Sequence, residues 1–377
     1  MNGRSILKTI LYFLNICLVI GLLASYLSGY ISPDKFWILA FFGLAYPIFL
    51  ILNILFVLFW LLTWKRFIFV SLITILIGFH SLLAIFPIRF SQPKAMSFPQ
   101  IKIVSFNVHS LYGNQPADNQ KETKSKVTEF LAKQNADIIC VQEFYAIGED
   151  FSQTLSKFAS SIHLEYYSFK NYTEFYNKRK INAIATFSRF PIVNFGALRL
   201  PERSHYATFS DIVMQGDTVR VYNLHLESIR FGYDDYSFYS HLTEPDIEEG
   251  TTIKEGTQIK EGSKRMIWKL RKAFIIRAKQ VNILAKHIAS CPYPVILSGD
   301  FNDTPSSYTY HQLTNKLADS FIESGHGLFK STYAGKLPSF RIDYVLHSKK
   351  FNSISYQTFD IDISDHYPIT TTLVKLP

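Results

Sequence analysis

Apolar residues dominate three stretches near the start of the chain, 9–31, 36–63 and 67–88, and none of the three contains Asp, Glu, Lys or Arg. Each exceeds the roughly 20 apolar residues that a helix needs to cross hydrocarbon, so three transmembrane helices are predicted. The first run is too long for the apolar core of a signal peptide, about 7–15 residues, and no clear A-x-A cleavage site follows it. Pro47 inside the second run is compatible with a kinked membrane helix. Arg4, Lys8, Lys65 and Arg66 would lie on one side of the membrane, and Lys35, Arg89 and Lys94 on the other. The excess favours a cytoplasmic N-terminus. The expectation is therefore a multi-pass integral membrane protein with an anchor over residues 1–90 and everything after it outside the cytoplasm.

The pattern changes after a polar, proline-bearing linker at 91–100. Short apolar or alternating runs predict strands at 102–108, 137–142, 181–187, 208–214, 218–226, 294–298, 342–347 and 369–374. Helical spacing predicts helices at 121–133, 151–162 and 266–289, the last carrying Leu270, Phe274, Ala278, Val281, Leu284 and Ala285 on one stripe. Many short strands with few helices predict one layered domain over 101–377. Residues 230–264, rich in Tyr, acids and Gly, contain Ile-Lys-Glu-Gly twice, at Ile253 and Ile259. Two copies do not make a repeat architecture, and the segment is expected to be a surface insertion with a solvated loop.

Charge alters one inference. The chain has 39 Lys and Arg against 30 Asp and Glu, a net +9 that would ordinarily point to nucleic acid. Seven basic residues and only Asp34 fall in 1–99, which leaves +3 for the rest. The basic balance mostly reports charges flanking the apolar runs, not a polynucleotide-binding face. Cys17, Cys140 and Cys291 are scattered and form no Cys/His set, so neither structural zinc nor a disulfide framework is indicated.

The chemistry lies at the strand ends. Along 218–226 alternate residues Val219, Val221, Asn223, His225 and, just beyond, Glu227 share one face, which turns from apolar to polar. The run 294–302 ends in Gly299, Asp300 and Asn302, 137–143 ends in Glu143, and 101–107 ends in Asn107. A single such ending is usually a turn, but several together point to a cleft. Carboxylates and amides without thiolates or paired imidazoles favour Mg²⁺ or Mn²⁺ over Zn²⁺. Near the C-terminus Asp365 and His366 add a carboxylate and an imidazole able to bind a phosphoryl oxygen or transfer a proton. His109, Arg179 and Asn182 are further polar candidates, with turn contacts or solvation as their simpler explanations.

The ordered set of Asn107 in Ser-Phe-Asn, Glu143 in Val-Gln-Glu, Asn223-Leu-His225, Gly-Asp300-Phe-Asn302, Arg341-Ile-Asp343-Tyr and Ser-Asp365-His366 resembles the endonuclease/exonuclease/phosphatase superfamily with its DNase I-like fold. The resemblance covers about residues 100–377. It implies an α+β, four-layer α/β/β/α sandwich with the site at one end of two packed sheets. It further implies that Glu143 is the principal metal ligand, with Asn107 beside it and Asp365 as a second carboxylate on the metal side. Asp300 resembles the residue that orients and deprotonates the attacking water, and Asn302 one that holds water or phosphate. His366 resembles the imidazole that stabilises the pentacovalent phosphate, and Asp343 the carboxylate that orients it. His225 is similar to a residue of the DNase I-like and sphingomyelinase-like branches, which sets the chain apart from abasic-site endonucleases.

These readings lead to a membrane-anchored, divalent-metal-dependent phosphoester hydrolase. It would act on nucleic-acid phosphodiesters or, alternatively, on lipid headgroups or soluble phosphoesters as a phosphodiesterase or phosphatase. The near-neutral domain weighs against tight polynucleotide binding. A catalytically silent, membrane-tethered binding module is the competing class, and the presence of Asp300 and His366 weighs against it.

Overall fold

The computed structural model describes residues 3–63, 65–87, 99–111, 120–147, 151–171, 180–201, 206–214, 216–243, 252–327, 330–335 and 340–376. The linker expected at 91–100 lies outside these except for its last two residues, and Arg179 lies outside them as well.

The N-terminal segment is helical, as its composition requires, but not as three continuous spans. Its helices are α1 (Gly3–Leu27), α2 (Pro33–Phe36), α3 (Ile38–Leu44), α4 (Tyr46–Leu62), α5 (Ile68–Ile77) and α6 (Phe79–Leu83). Among the described residues only one stretch, Ile6–Leu27 in α1, is by itself long and apolar enough to cross a membrane. The second apolar run is broken at Ala45, where α3 and α4 meet at 61°. Pro47 stands in the first turn of α4, where its ring would crowd the carbonyl four residues earlier in any continuous helix and its missing N–H removes a rung. The third run holds a helix of only 10 residues, α5, which stops at Gly78. The expectation of three straight spans is corrected accordingly. The orientation counted from three crossings falls with it.

Two six-stranded sheets follow. The strands are β1 (Gln100–Asn107), β2 (Ile138–Ile147), β3 (Tyr166–Asn171), β4 (Lys180–Ser188), β5 (Ile192–Arg199), β6 (Tyr206–Met214), β7 (Asp217–His225), β8 (Val295–Asp300), β9 (Ala318–Asp319), β10 (Asp343–His347), β11 (Phe351–Thr358) and β12 (Ile369–Lys375). One sheet has the order β11-β12-β1-β2-β4-β3 and the other β5-β6-β7-β8-β10-β9. The helices of this part are α7 (Gln120–Lys133), α8 (Phe151–Ser161), α9 (Tyr233–Thr243), α10 (Thr252–Ala289), α11 (Tyr308–Thr314) and α12 (Ser320–Ser324).

Strand alternation builds the layers. Ile101, Ile103, Ile138 and Cys140 of the first sheet meet Val219, Val221, Ile296 and Val345 of the second in the core between the sheets. On the outer face of the first sheet, Val104, Phe106, Ile139 and Val141 pack under Val127 and Leu131 of α7 and Leu155 and Phe158 of α8. On the outer face of the second, Tyr222, Leu224, Leu297 and Leu346 meet Val281, Leu284 and Ile288 of α10 and Leu313 of α11. This is the four-layer α+β arrangement. The segment 230–264 departs from expectation: α9 and the first turns of α10 occupy its described part, not a solvated loop.

Two parallel pairings position the site. β1 runs parallel to β2 and β7 parallel to β8, so the C-terminal ends of these four strands emerge at one end of the sandwich. In an open sheet with parallel strands that end is where a cleft forms.

Candidate active site

Register brings most of the polar strand ends together. His225 pairs with Asp300 across β7 and β8, and Asp343 pairs with Asp300 across β10 and β8. Gly299 is required just before Asp300: its φ is +141°, and a Cβ there would lie 2.2 Å from the Leu224 carbonyl oxygen. Glu143 lies in the register break of β2 between Val141 and Phe144, with a φ of +52°. Such a bulge re-aims a side chain. Strict alternation would have put Glu143 on the helix-covered face with Val141.

Asn107 ties the two sheets at the site. Its Nδ2 donates to Glu143 Oε1 at 3.2 Å and to Asp300 Oδ2 at 3.1 Å, while its Oδ1 accepts the His109 N–H at 3.0 Å. As placed, Asn107 braces two carboxylates through its N–H group, and serving as a ligand by its oxygen requires the amide turned over. Asn302, also at positive φ, donates its backbone N–H to Asp300 Oδ1 at 2.7 Å and its Nδ2 to Asp300 Oδ2 at 3.1 Å.

Two imidazoles face the same carboxylate. His366 Nε2 is 3.7 Å and His225 Nε2 3.8 Å from Asp300 Oδ2, and His225 Nε2 is also 3.5 Å from Glu143 Oε1. His366 Nδ1 lies 2.9 Å from Asp343 Oδ2, which fixes the ring so that Nε2 faces Asp300. Asp300, Asp343 and His366 form a buried acidic/His cluster whose ligand atoms fall within 4.8 Å of one another. Ser364 secures the last segment by donating to the Asn107 carbonyl at 2.8 Å, and Asp365 Oδ1 faces His109 Nδ1 at 3.5 Å.

The electrostatics divide the groups. Burial pushes Asp300 up to about 6 and Asp343 adds to this, against the pull of His366 and His225. Burial likewise works against ionised Glu143, but His225, His109 and the Asn107 amide outweigh it and hold the carboxyl below its usual range. Burial would lower His366, yet Asp343 and Asp300 raise it well above an ordinary imidazole. The surroundings thus favour the ionised form of Glu143 and the protonated form of His366, and raise the proton affinity of the Asp300 carboxylate.

Glu143, His225, Asp300, Asn302, Asp365 and His366 line a cavity of about 490 Å³, with Asn107 bonded to Glu143 and Asp300 and Asp343 bonded to His366. Asn223 is not at the cavity: it accepts from Gln142 at 2.7 Å and donates to the Ala185 carbonyl at 2.9 Å, joining the sheets. Asn182 is hydrogen-bonded to Ser110. Sequence reasoning missed several lining residues. Tyr333 meets the His366 ring edge-on at 5.6 Å. Arg277, buried in α10, donates to Asp303 and to the Glu227 carbonyl. An arginine three residues after Phe274 and one before Ala278, amid an apolar stripe, was the available signal.

Known proteins share this fold. Residues 104–366 match the endonuclease/exonuclease/phosphatase family, and residues 8–85 match a domain of unknown function. The chain belongs to the endonuclease/exonuclease/phosphatase family. Among solved structures, a protein of that family from Beutenbergia cavernae DSM 12333 aligns at 15% identity with a TM-score of 0.52, over 74% of this chain and 72% of that one. A family protein from Leptotrichia buccalis C-1013-b aligns at 16% identity and TM-score 0.50, over 72% and 98%. The human nocturnin catalytic domain with a bound sulfate anion aligns at 17% and TM-score 0.50, over 77% and 99%. At these identities the likeness is one of fold. No curated protein matches the chain.

Proposed function

We propose that the chain is a divalent-metal-dependent phosphoester hydrolase held at a membrane by its N-terminal helices. The observation that carries the reading is Asp300: a buried carboxylate braced by Asn107 and Asn302, facing His366 and lining the cavity. Membership of a family named for three kinds of phosphoester cleavage supports it.

The donor set fits Mg²⁺ or Mn²⁺. Glu143, Asp300 and Asp365 all line the cavity and carry hard oxygens, and Glu143 Oε1 and Asp300 Oδ2 both approach a single amide nitrogen within 3.2 Å. Two carboxylate oxygens that close disfavour each other's ionisation, which a bound cation would offset together with His225 and His366. Glu143 and Asp365, with Asn107 beside them, would hold the ion; when bound it neutralises phosphoryl oxygens and stabilises the charge of an in-line displacement. Asp300, held by Asn302, orients the attacking water and takes its proton. His366, oriented by Asp343, and His225 donate to the phosphoryl oxygens as charge develops on them.

Membrane attachment draws on the polarity of the helical segment. Asn15, Asn53, Ser71 and Thr74 are buried, whereas Phe13, Leu62 and Ile77 are exposed. Asn15 donates to Ser71 at 2.7 Å and accepts from Trp60 Nε1 at 2.9 Å. Polar groups paired between helices and apolar groups turned outward suit a hydrocarbon environment, with α1 as the span and the hydrolase part following the linker at 91–100.

The test is turnover of bis(4-nitrophenyl) phosphate and 4-nitrophenyl phosphate by the detergent-solubilised full chain with Mg²⁺ or Mn²⁺. Asp300→Asn is expected to reduce the rate by roughly 10²–10⁴-fold, the range for loss of a general base. Equal rates for the variant and the native protein would refute the assignment.

A further inference from the structure

The catalytic residues make up only part of the cavity lining. Apolar residues from three separate parts of the chain also line it: Leu44 at the end of α3, Ile229 and Phe231 beyond β7, and Met266, Leu270 and Phe274 along α10. The N-terminal helices are therefore part of the wall. They are seated there by contacts that do not depend on a membrane. Phe41 meets Phe274 edge-on at 5.3 Å, Ser28 donates to the Ser306 carbonyl at 2.6 Å, and Arg341 donates to the Ala84 carbonyl at 2.9 Å.

The adjoining surface of α10 has a matching composition. Residues 264–272 read Lys-Arg-Met-Ile-Trp-Lys-Leu-Arg-Lys. Ile267 is 46% and Trp268 59% exposed. Lys272 lies over Trp268 at 5.6 Å, and Arg271 lies over Trp37 of the N-terminal segment at 4.9 Å. Exposed Trp and Ile among lysines and arginines, beside helices with apolar outer faces, make up a surface that settles at the headgroup level of a bilayer.

We infer that the cavity takes an amphiphilic phosphoester presented from the bilayer, its phosphate at Asp300 and His366 and its hydrocarbon along Leu44, Leu270 and Phe274. The inference rests on the phosphoester-hydrolase reading above and adds the substrate class. Water forms one P–O bond, the P–O bond to the leaving group breaks, the water proton passes to Asp300, and the leaving oxygen is protonated from solvent. A polynucleotide fits this cavity less well. Its arginines are Arg277, engaged by Asp303 and the Glu227 carbonyl, and Arg230, 3.4 Å from Glu227, whereas polyanion binding uses several phosphate-neutralising cations.

The experiment uses the full chain reconstituted in phosphatidylcholine vesicles with Mg²⁺ or Mn²⁺. Two diesters with the same reacting group are compared: hexadecyl 4-nitrophenyl phosphate carried in the vesicles and methyl 4-nitrophenyl phosphate in solution. Burying part of the alkyl chain is expected to raise kcat/KM for the hexadecyl ester roughly tenfold or more over the methyl ester. Leu270→Gln and Leu44→Gln, on different elements and each checked for folding by circular dichroism, are expected to lower that ratio at least threefold. The same ratio in native protein and both variants would show that the gain is only surface enrichment and would overturn the inference, as would equal turnover of the two esters. Cleavage of a single-stranded oligonucleotide with a higher kcat/KM than the hexadecyl ester would overturn it in favour of nucleic acid. If neither ester is cleaved, the hydrolase reading itself fails, and the inference with it.

Discussion

Glu143 reaches the cavity from a register break, at a φ of +52°, and Asn302 holds Asp300 from a second left-handed position. Non-glycine residues adopt this region uncommonly, and where they do the surrounding structure compensates the strain. Their residue types were legible in the sequence, because a carboxylate or amide ending an apolar run is visible as such. Their directions were not, since a bulge leaves no mark in an alternating pattern. His109 shows the same limit: a simple turn contact and a cavity position were alternatives in the sequence, and it holds both, its N–H on Asn107 and its ring facing Asp365. Glu143→Gln is expected to lower kcat by roughly 10²-fold or more, because it removes an anionic ligand from the proposed ion site, while leaving the circular dichroism spectrum unchanged. Asp343→Asn is expected to lower kcat by a comparable factor with little change in KM, as loss of orientation at His366 acts on the transition state. Steady-state kinetics on both variants measures each effect.

Among strands, the expected and the overlooked divide by place in the sheet. β3, β5, β9 and β11 were not anticipated, and they are the four edge strands of the two sheets. An edge strand needs less apolar surface than a central one and carries polar residues that discourage further pairing. β11 follows this rule, with Asn352, Ser353, Ser355, Gln357 and Thr358 along it. The central strands were legible because they are covered on both faces. Two of them supply stability tests. Gly299→Ala would place a Cβ against the Leu224 carbonyl at a φ suited to glycine, prising β7 from β8. It is expected to cost about 2 kcal/mol or more in urea unfolding and to depress activity, since His225 and Asp300 are the paired residues there. On β6, Asp211 accepts from Arg220 at 2.6 and 2.7 Å and from Asn194 at 2.8 Å. Burial raises its carboxyl, but these bonds outweigh burial and hold it below its usual value. A depressed carboxyl adds stability above the unfolded pKa, and that stability is lost as pH falls through the folded value. Asp211→Asn is therefore expected to cost about 3 kcal/mol at pH 7. The difference from native protein should narrow below about pH 4, as unfolding at pH 7 and pH 3 would reveal.

The helical segment and the sandwich share a wall of the cavity, so the proposed attachment and the proposed catalysis would be joined in one body. With α1 spanning a bilayer, the full chain is expected to remain in the membrane fraction after alkaline carbonate extraction; release into the supernatant would refute the anchor. Chelation with EDTA is expected to abolish turnover and added Mg²⁺ or Mn²⁺ to restore it, with the melting curve little changed, because the site is already braced by Asn107, Asn302 and Ser364. Composition, periodicity and motif order alone were enough to indicate an apolar N-terminal part, a layered domain of strands and helices, and an ordered set of acids, amides and imidazoles, while the α+β sandwich was what the family resemblance implied. These are local properties, since burial and strand period are written in neighbouring residues. What depended on the folded chain was the break at Ala45, the aim of Glu143, the brace formed by Asn107 and the contribution of Leu44 to a cavity lined by residues as distant as His366. Each of these arises from packing or pairing between segments far apart in sequence, and no local pattern encodes which distant residue a side chain will meet.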